Sequence, residues 1–196
     1  MTDRKKLAAT LEELGYTVRC FDTAQQAADY LDGQIDGQTI SFGGSVTLKD
    51  MDLYPRLSAH NQVVWHWEGG SPADAVNTDV YITSANALAE TGEIINIDGT
   101  GNRVAATLYG HKKVYFVIGS NKIAPDYDAA LWRARNIAAP KNAQRLNRNT
   151  PCAAKGDRCY NCKSPDRICN GLVVLWRKTG GIGEAEVILV DQELGY

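Results

Sequence analysis

The chain has 196 residues, 44% hydrophobic and 22% charged, with a formal net charge of −2. That length fits one domain, and the apolar share is enough to bury a core without staples. The slight acidic balance excludes a general nucleic-acid binder, which needs a basic excess to displace counterions, and no apolar run is long enough to span a bilayer.

The first predicted element is an amphipathic helix over residues 3–14, with Leu7, Leu11 and Leu14 on one face and Gly15 closing it. This charged, helical start lacks the apolar core of a signal peptide, so one cytoplasmic domain over residues 1–196 is expected. Residues 17–21 make a short apolar strand, and Asp22 or Thr23 caps a helix running to about Leu31. Residues 39–42 form a second strand, closed by Gly43, Gly44 and Ser45. A helix then runs from Ser45 towards Leu57, disturbed in its last turn by Pro55. Residues 62–67 suggest a third strand and residues 79–83 a fourth. Residues 85–90 suggest a small helical patch and residues 93–97 a strand, ended by a turn over residues 98–101. A helix is expected over residues 102–109 and a strongly apolar strand over residues 113–118. Pro125 suits the first turn of a helix carrying Leu131, Ile137 and Leu146. After a polar, cysteine-bearing stretch at residues 150–170, strands at 172–177 and 186–190 finish the chain.

Strands alternating with helices imply crossover connections, hence an α/β sandwich: a mostly parallel sheet covered by helices on both faces. The unbroken apolar run of Val114, Tyr115, Phe116, Val117 and Ile118 suits a central strand buried on both sides.

Two glycine loops carry chemical content. After the second strand, Gly43 and Gly44 let the backbone approach a ligand, the following helix offers free N–H groups, and Ser45 and Thr47 add hydroxyls. The set can hold a phosphate or carboxylate; equally, it can be a tight turn with Ser45 as a helix cap, since neither a GxGxxG pattern nor a Walker lysine is present. The second loop is Asp98, Gly99, Thr100, Gly101, Asn102 and Arg103. Arg103 is a planar donor fork suited to an anion, while Asp98 and Asn102 can contact hydroxyls or fix the loop. In parallel sheets ligands bind beyond the carboxyl ends of strands, where both loops are expected. The alternative is a turn capped by Asp98, with Arg103 solvated or paired.

Glu90 and Glu93 are the candidate carboxylates for acid–base or nucleophilic work, against the alternative of caps or ion pairs. His60, His66 and His111 form no spaced pair and are expected to be structural or solvated. Trp65 and Trp67, on one face of a strand, suggest core or interface packing, and Cys20 suggests a small buried hydrophobe.

The remaining four cysteines crowd into one polar segment. Cys159 and Cys162 form a CxxC knuckle, with Cys152 and Cys169 equally far on either side. Four thiolates can bind tetrahedral zinc or one iron–sulfur cluster. The nearby Lys155, Arg158, Lys163 and Arg167 offset thiolate charge. The spacing matches neither the usual ferredoxin patterns nor the commonest zinc-ribbon one. Two disulfides, four free thiols, or redox chemistry at the knuckle alone are the competing readings, though a reducing compartment disfavours the disulfides.

The stretches at residues 43–48, 96–106 and 150–170 together resemble the LUD, or lactate-utilisation, family, in the subgroup with a C-terminal four-cysteine motif. The resemblance covers about residues 3–178, with an N-terminal segment short for the family. It implies a three-layer α/β/α sandwich like that of the sugar-phosphate isomerase and CoA-transferase (NagB/RpiA-like) superfamily. It also implies association with lactate oxidation and its iron–sulfur electron carriers, which tilts the metal choice towards [4Fe–4S] over zinc. The expected function is therefore an accessory or electron-transfer component of organic-acid oxidation that binds a small anion. Its partners would be other lactate-oxidation proteins, and a homo-oligomer is compatible. The alternative is an enzyme acting on a phosphorylated sugar or CoA ester, with a structural zinc. The resemblance carries no catalytic residue over to this chain.

Overall fold

The computed structural model describes residues 2–196. Helix α1 (Arg4–Glu13) begins where the Asp3 carboxylate accepts from the N–H groups of Lys5 and Lys6. β1 (Thr17–Phe21) follows, then α2 (Ala24–Gln34), which opens on a capping box between Thr23 and Gln26. β2 (Thr39–Phe42) passes through the first glycine loop into α3 (Val46–Asp50), capped by Ser45. Asp52, in the left-handed region at φ 55°, turns the chain into α4 (Leu53–Ser58). The single helix expected over this stretch is therefore two. Pro55 lies in the first turn of the second helix, where its missing N–H costs no internal bond.

β3 (Gln62–Val64) is shorter than expected, because the chain coils into a 3-10 turn at His66–Glu68. Trp65 is buried and Trp67 stacks on it at 5.0 Å, so the pair packs without sharing a strand. Next come α5 (Pro72–Ala75), β4 (Val80–Thr83), β5 (Ala87–Ala89) and β6 (Ile94–Asp98). The helical patch expected at residues 85–90 is the strand β5: its alanines favour helix intrinsically, but antiparallel pairing with β6 and close packing override that preference. α6 (Asn102–Ala106) precedes β7 (Lys113–Gly119) and the short β8 (Ile123–Ala124). α7 (Tyr127–Arg133), capped by Asp126, runs through a π-helical turn at Ala134–Ala138 into α8 (Ala139–Arg145). Pro140 has no N–H to give the preceding turn, which accounts for the widened helix there. α9 (Pro151–Lys155), β9 (Gly171–Leu175) and β10 (Glu184–Val190) complete the chain.

Six strands form a wholly parallel sheet in the order β1-β10-β7-β4-β2-β3. β7 is central and buried on both faces, as its apolar run predicts. Tyr115 and Val117 face one side, with Ala27, Leu31, Leu48 and Leu57 of α2, α3 and α4. Val114, Phe116 and Ile118 face the other, with Leu7 and Leu11 of α1. This is the expected α/β/α arrangement, with one addition. A second sheet, β8-β5-β6-β9, lies on the α1 side, and β9 belongs to it rather than to the main sheet. Its outer face packs Ala87, Ala89 and Ile95 against Ala130 and Ala134 of the α7 helical run. β1 is an edge strand of which only Val18 is buried, so Cys20 is exposed there rather than buried as expected. Among the described residues no helix is long and apolar enough to cross a membrane.

Candidate functional site

The carboxyl ends of β2, β4 and β7 open together onto a cavity of about 310 Å3. From the first glycine loop, Gly44, Ser45 and Thr47 line it; from the second, Asp98, Gly99, Thr100, Asn102 and Arg103 do. Gly43 and Gly101 stand behind the lining. Gly43 is required by space: a Cβ there would come within 2.6 Å of the Thr83 hydroxyl and 2.7 Å of the Tyr81 hydroxyl. Ser45 both caps α3, accepting from the Leu48 N–H at 3.4 Å, and faces the cavity. Asp98 accepts from the N–H groups of Thr100, Gly101 and Val104 at 3.1 Å each, so its carboxylate is spent on capping the loop.

Arg103 is neither solvated nor simply paired. Its guanidinium donates to Asn96 Oδ1 at 2.5 Å, to the Ile97 carbonyl at 2.7 Å and to Asn86 Oδ1 at 3.3 Å, with Asp98 at 3.9 Å. It ties β6 to the segment entering β5, and its edge reaches the cavity.

The sequence reasoning missed Lys122. It follows β7 in a 3-10 turn and is 4% exposed, and its Nζ donates to Thr47 Oγ1 at 2.7 Å and Ser84 Oγ at 2.9 Å. Among the described residues no carboxylate oxygen lies within 4.0 Å of it. Burial first, then Arg133 and Arg103, push its pKa down to about 7. A lysine just beyond the carboxyl end of an apolar strand was the available signal. Arg133, also missed, joins α7 to the segments that follow β4 and β7 through the carbonyls of Asn86 at 2.5 Å and Asn121 at 2.7 Å. Burial lowers it to about 10. At the cavity rim Arg145 lies over the Trp67 ring at 4.9 Å, and burial lowers His66 from its usual range.

All four clustered cysteines line a second cavity, of about 260 Å3. They are unbonded to one another. Cys152 lies in the first turn of α9, after the cap Thr150 and Pro151. The knuckle turns at Asn161, which takes a left-handed φ of 47° and gives its N–H to the Cys159 sulfur at 3.3 Å. Arg167 pins the other two positions, donating to the Cys162 carbonyl at 2.9 Å and the Cys169 carbonyl at 2.8 Å. Its Nε is buried with no hydrogen-bond partner. The remaining wall is apolar, with Leu131, Pro140, Ala143 and Leu172. Among the described residues no three His, Cys, Asp or Glu side chains form a group that could hold a metal ion; what the four cysteines share is the lining of this cavity.

The two cavities share a wall of Ile97, Ala139 and Ile168. The contact is built by backbone: β6 pairs with β9 from Asp98 opposite Gly171, and the Asn170 N–H donates to the Asp98 carbonyl at 2.9 Å. Gly99 lets the cysteine segment close in, since a Cβ there would meet the Ile168 carbonyl at 3.0 Å.

Glu90 and Glu93 lie elsewhere. They flank the β5–β6 turn, where Thr91 donates to Glu93, and neither lines either cavity. His111 is buried against Tyr81 with its Nδ1 at 2.8 Å from the Thr78 carbonyl, and His60 sits between Asp32 and Asp36, which raise its pKa. Neither lines the two cavities described above.

The chain is similar over 95% of its length, and 94% of the other's, to a DUF162 family protein from Deinococcus radiodurans, at 14% identity and a TM-score of 0.57. That similarity extends to the fold. Weaker matches are the translation initiation factor eIF-2B of Pyrococcus horikoshii OT3 (13% identity, 62% of this chain and 47% of that one, TM-score 0.33) and eIF2B beta of Chaetomium thermophilum (17%, 63% and 43%, 0.33). No curated protein matches the chain. The pattern of the LUD domain matches residues 4–190, and the chain belongs to the LUD domain family.

Proposed function

We propose that this LUD-domain chain is a cytoplasmic redox accessory of small organic-acid oxidation, lactate being the leading case. It binds a small anion in the first cavity and holds a [4Fe–4S] cluster on Cys152, Cys159, Cys162 and Cys169 in the second. The observation that carries this reading is that all four thiols border one cavity and that this cavity adjoins the polar one. A single ion draws its ligands to one point, whereas a cluster spreads four thiolates around a core of several atoms. Four cysteines lining one cavity of about 260 Å3 leave room for the second case. The fit extends to the surroundings. The Asn161 N–H donates to the Cys159 sulfur, and the Arg167 guanidinium lies near Cys169, Cys162 and Cys159, so a donor and a positive charge stand where a cluster's ligands would be. The apolar wall limits water, which governs the potential of such a centre.

When bound, the cluster would supply one-electron transfer. The protein's own part is to hold the anion by cations and hydroxyls, keep the cluster pocket dry, and set the two within one shared wall. Other proteins of the same oxidation would donate or accept the electrons.

The test is purification without oxygen, followed by metal and acid-labile sulfide analysis with a visible spectrum. About four irons and four sulfides per chain are expected, with a brown absorbance that bleaches on reduction. Colourless protein carrying stoichiometric zinc would replace this reading with the structural-tie alternative.

A further inference from the structure

A buried ammonium without a counter-ion is costly, and the usual relief is loss of its proton. Lys122 is in that position. Its environment is built of hydroxyls: Thr47 Oγ1 accepts from it and donates its own O–H to the Leu194 carbonyl at 3.2 Å, while the Ser84 hydroxyl accepts from it and keeps an O–H to donate. An ammonium has three N–H donors, and two are used. The third has no protein partner, and Lys122 and Ser84 both line a cavity whose other charged side chains are Arg103, Arg145 and Arg148 against Asp98.

We propose that Lys122 is the residue that grips the ligand's anionic oxygen in this cavity, and that it takes up a proton as the ligand binds. The inference rests on the anion-binding reading above and gives that site its central residue and its pH dependence. The ligand class is a small oxyanion, carboxylate or phosphate, taking one N–H from Lys122 and one O–H from Ser84. Before binding, Arg133 and Arg103 oppose the charge on Lys122 and Asp50 favours it. Asp50 also accepts the Gly195 N–H at 3.2 Å. The ligand supplies the missing negative charge, so the protonated form becomes the favoured one. Of the other charged or titratable groups lining the cavity, Arg103, Arg145 and Arg148 add positive charge, Tyr196 gives its carboxyl-end oxygen to Arg133 at 3.3 Å, and Asp98 is occupied in its loop. His66, lowered by burial, is already neutral above neutral pH and does not contribute.

The test is calorimetric titration of the intact protein with L-lactate and, separately, with inorganic phosphate, in buffers of different ionisation heat. Near pH 8 to 9, about one proton should be taken up per ligand bound, and the apparent Kd should rise about tenfold over that unit. Lys122→Met should remove both the uptake and the tight binding; should that variant fail to fold, the wild-type uptake decides alone. The probe that binds identifies the oxyanion as carboxylate or phosphate. Binding with no proton uptake and a flat pH profile would overturn the role of Lys122 and leave the anion cavity standing. Absence of binding by either probe from about pH 6 to 9 would overturn both.

Discussion

Replacing Cys159 with serine is expected to lower bound iron from about four per chain to well below one. The hydroxyl of serine stays protonated near neutral pH and is a poor substitute for a thiolate. Even changes one shell further out cost metal sites about 10–100-fold in affinity. Because a cluster needs all its thiolates at once, Cys152→Ser, Cys162→Ser and Cys169→Ser should each have the same effect. Cys20→Ser should have none, since Cys20 is exposed on β1 and borders neither cavity. Iron analysis and visible absorbance of the five variants, prepared without oxygen, read this directly. A loss confined to Cys159 and Cys162 would point instead to a dithiol working alone.

Removing the side chain of Arg103 is expected to destabilise the fold by about 3 kcal/mol, lowering Tm by roughly 6–12 °C. The side chain is 14% exposed, and its guanidinium satisfies Asn96 Oδ1 and the Ile97 carbonyl and also reaches Asn86. In Arg103→Ala the Ile97 carbonyl loses this donor, while Asn96 Oδ1 keeps the Asn86 N–H and Asn86 Oδ1 keeps the Ile97 N–H; the cost is the loss of hydrogen bonds to a charged donor, about 1.5–3 kcal/mol each at most. Arg103→Lys should recover little, because a point charge cannot span three acceptors that a planar fork can. Urea or thermal unfolding measures the effect, and a change within about 0.5 kcal/mol would mean that the guanidinium is solvated. The loop it holds also supports the cysteine segment, through the Asn170 and Gly99 contacts. Iron occupancy should therefore become more sensitive to temperature in the alanine variant.

Much of the main sheet is legible in the sequence, because its signals are local. The apolar run of β7 and the Asp3, Thr23 and Ser45 caps each act within a few residues. The second sheet is not legible. β5 and β8 are only two or three residues long, and their pairing is decided by what the α7 helical run packs against them. The break at Asp52 is likewise a backbone choice that a non-glycine residue rarely makes. At the site, the glycine loops and the cysteines stand out by spacing, and eight of the ten residues singled out around the loops line one cavity. Lys122 does not stand out, because its meaning lies in burial without a counter-ion, which appears only once β2, β4 and β7 are side by side. The adjacency of the two cavities is equally tertiary: it depends on β9 returning to pair with β6. Glu90 and Glu93 follow a strand end in the sequence, but β5 carries the chain away from the cavity before reaching them.

Anomalous diffraction at the iron edge, from crystals grown without oxygen, bears most directly on the thiol cavity. The expected result is one compact group of iron peaks inside the space bounded by Cys152, Cys159, Cys162 and Cys169. A lone zinc peak there, or sulfurs joined in pairs around an empty pocket, would contradict it.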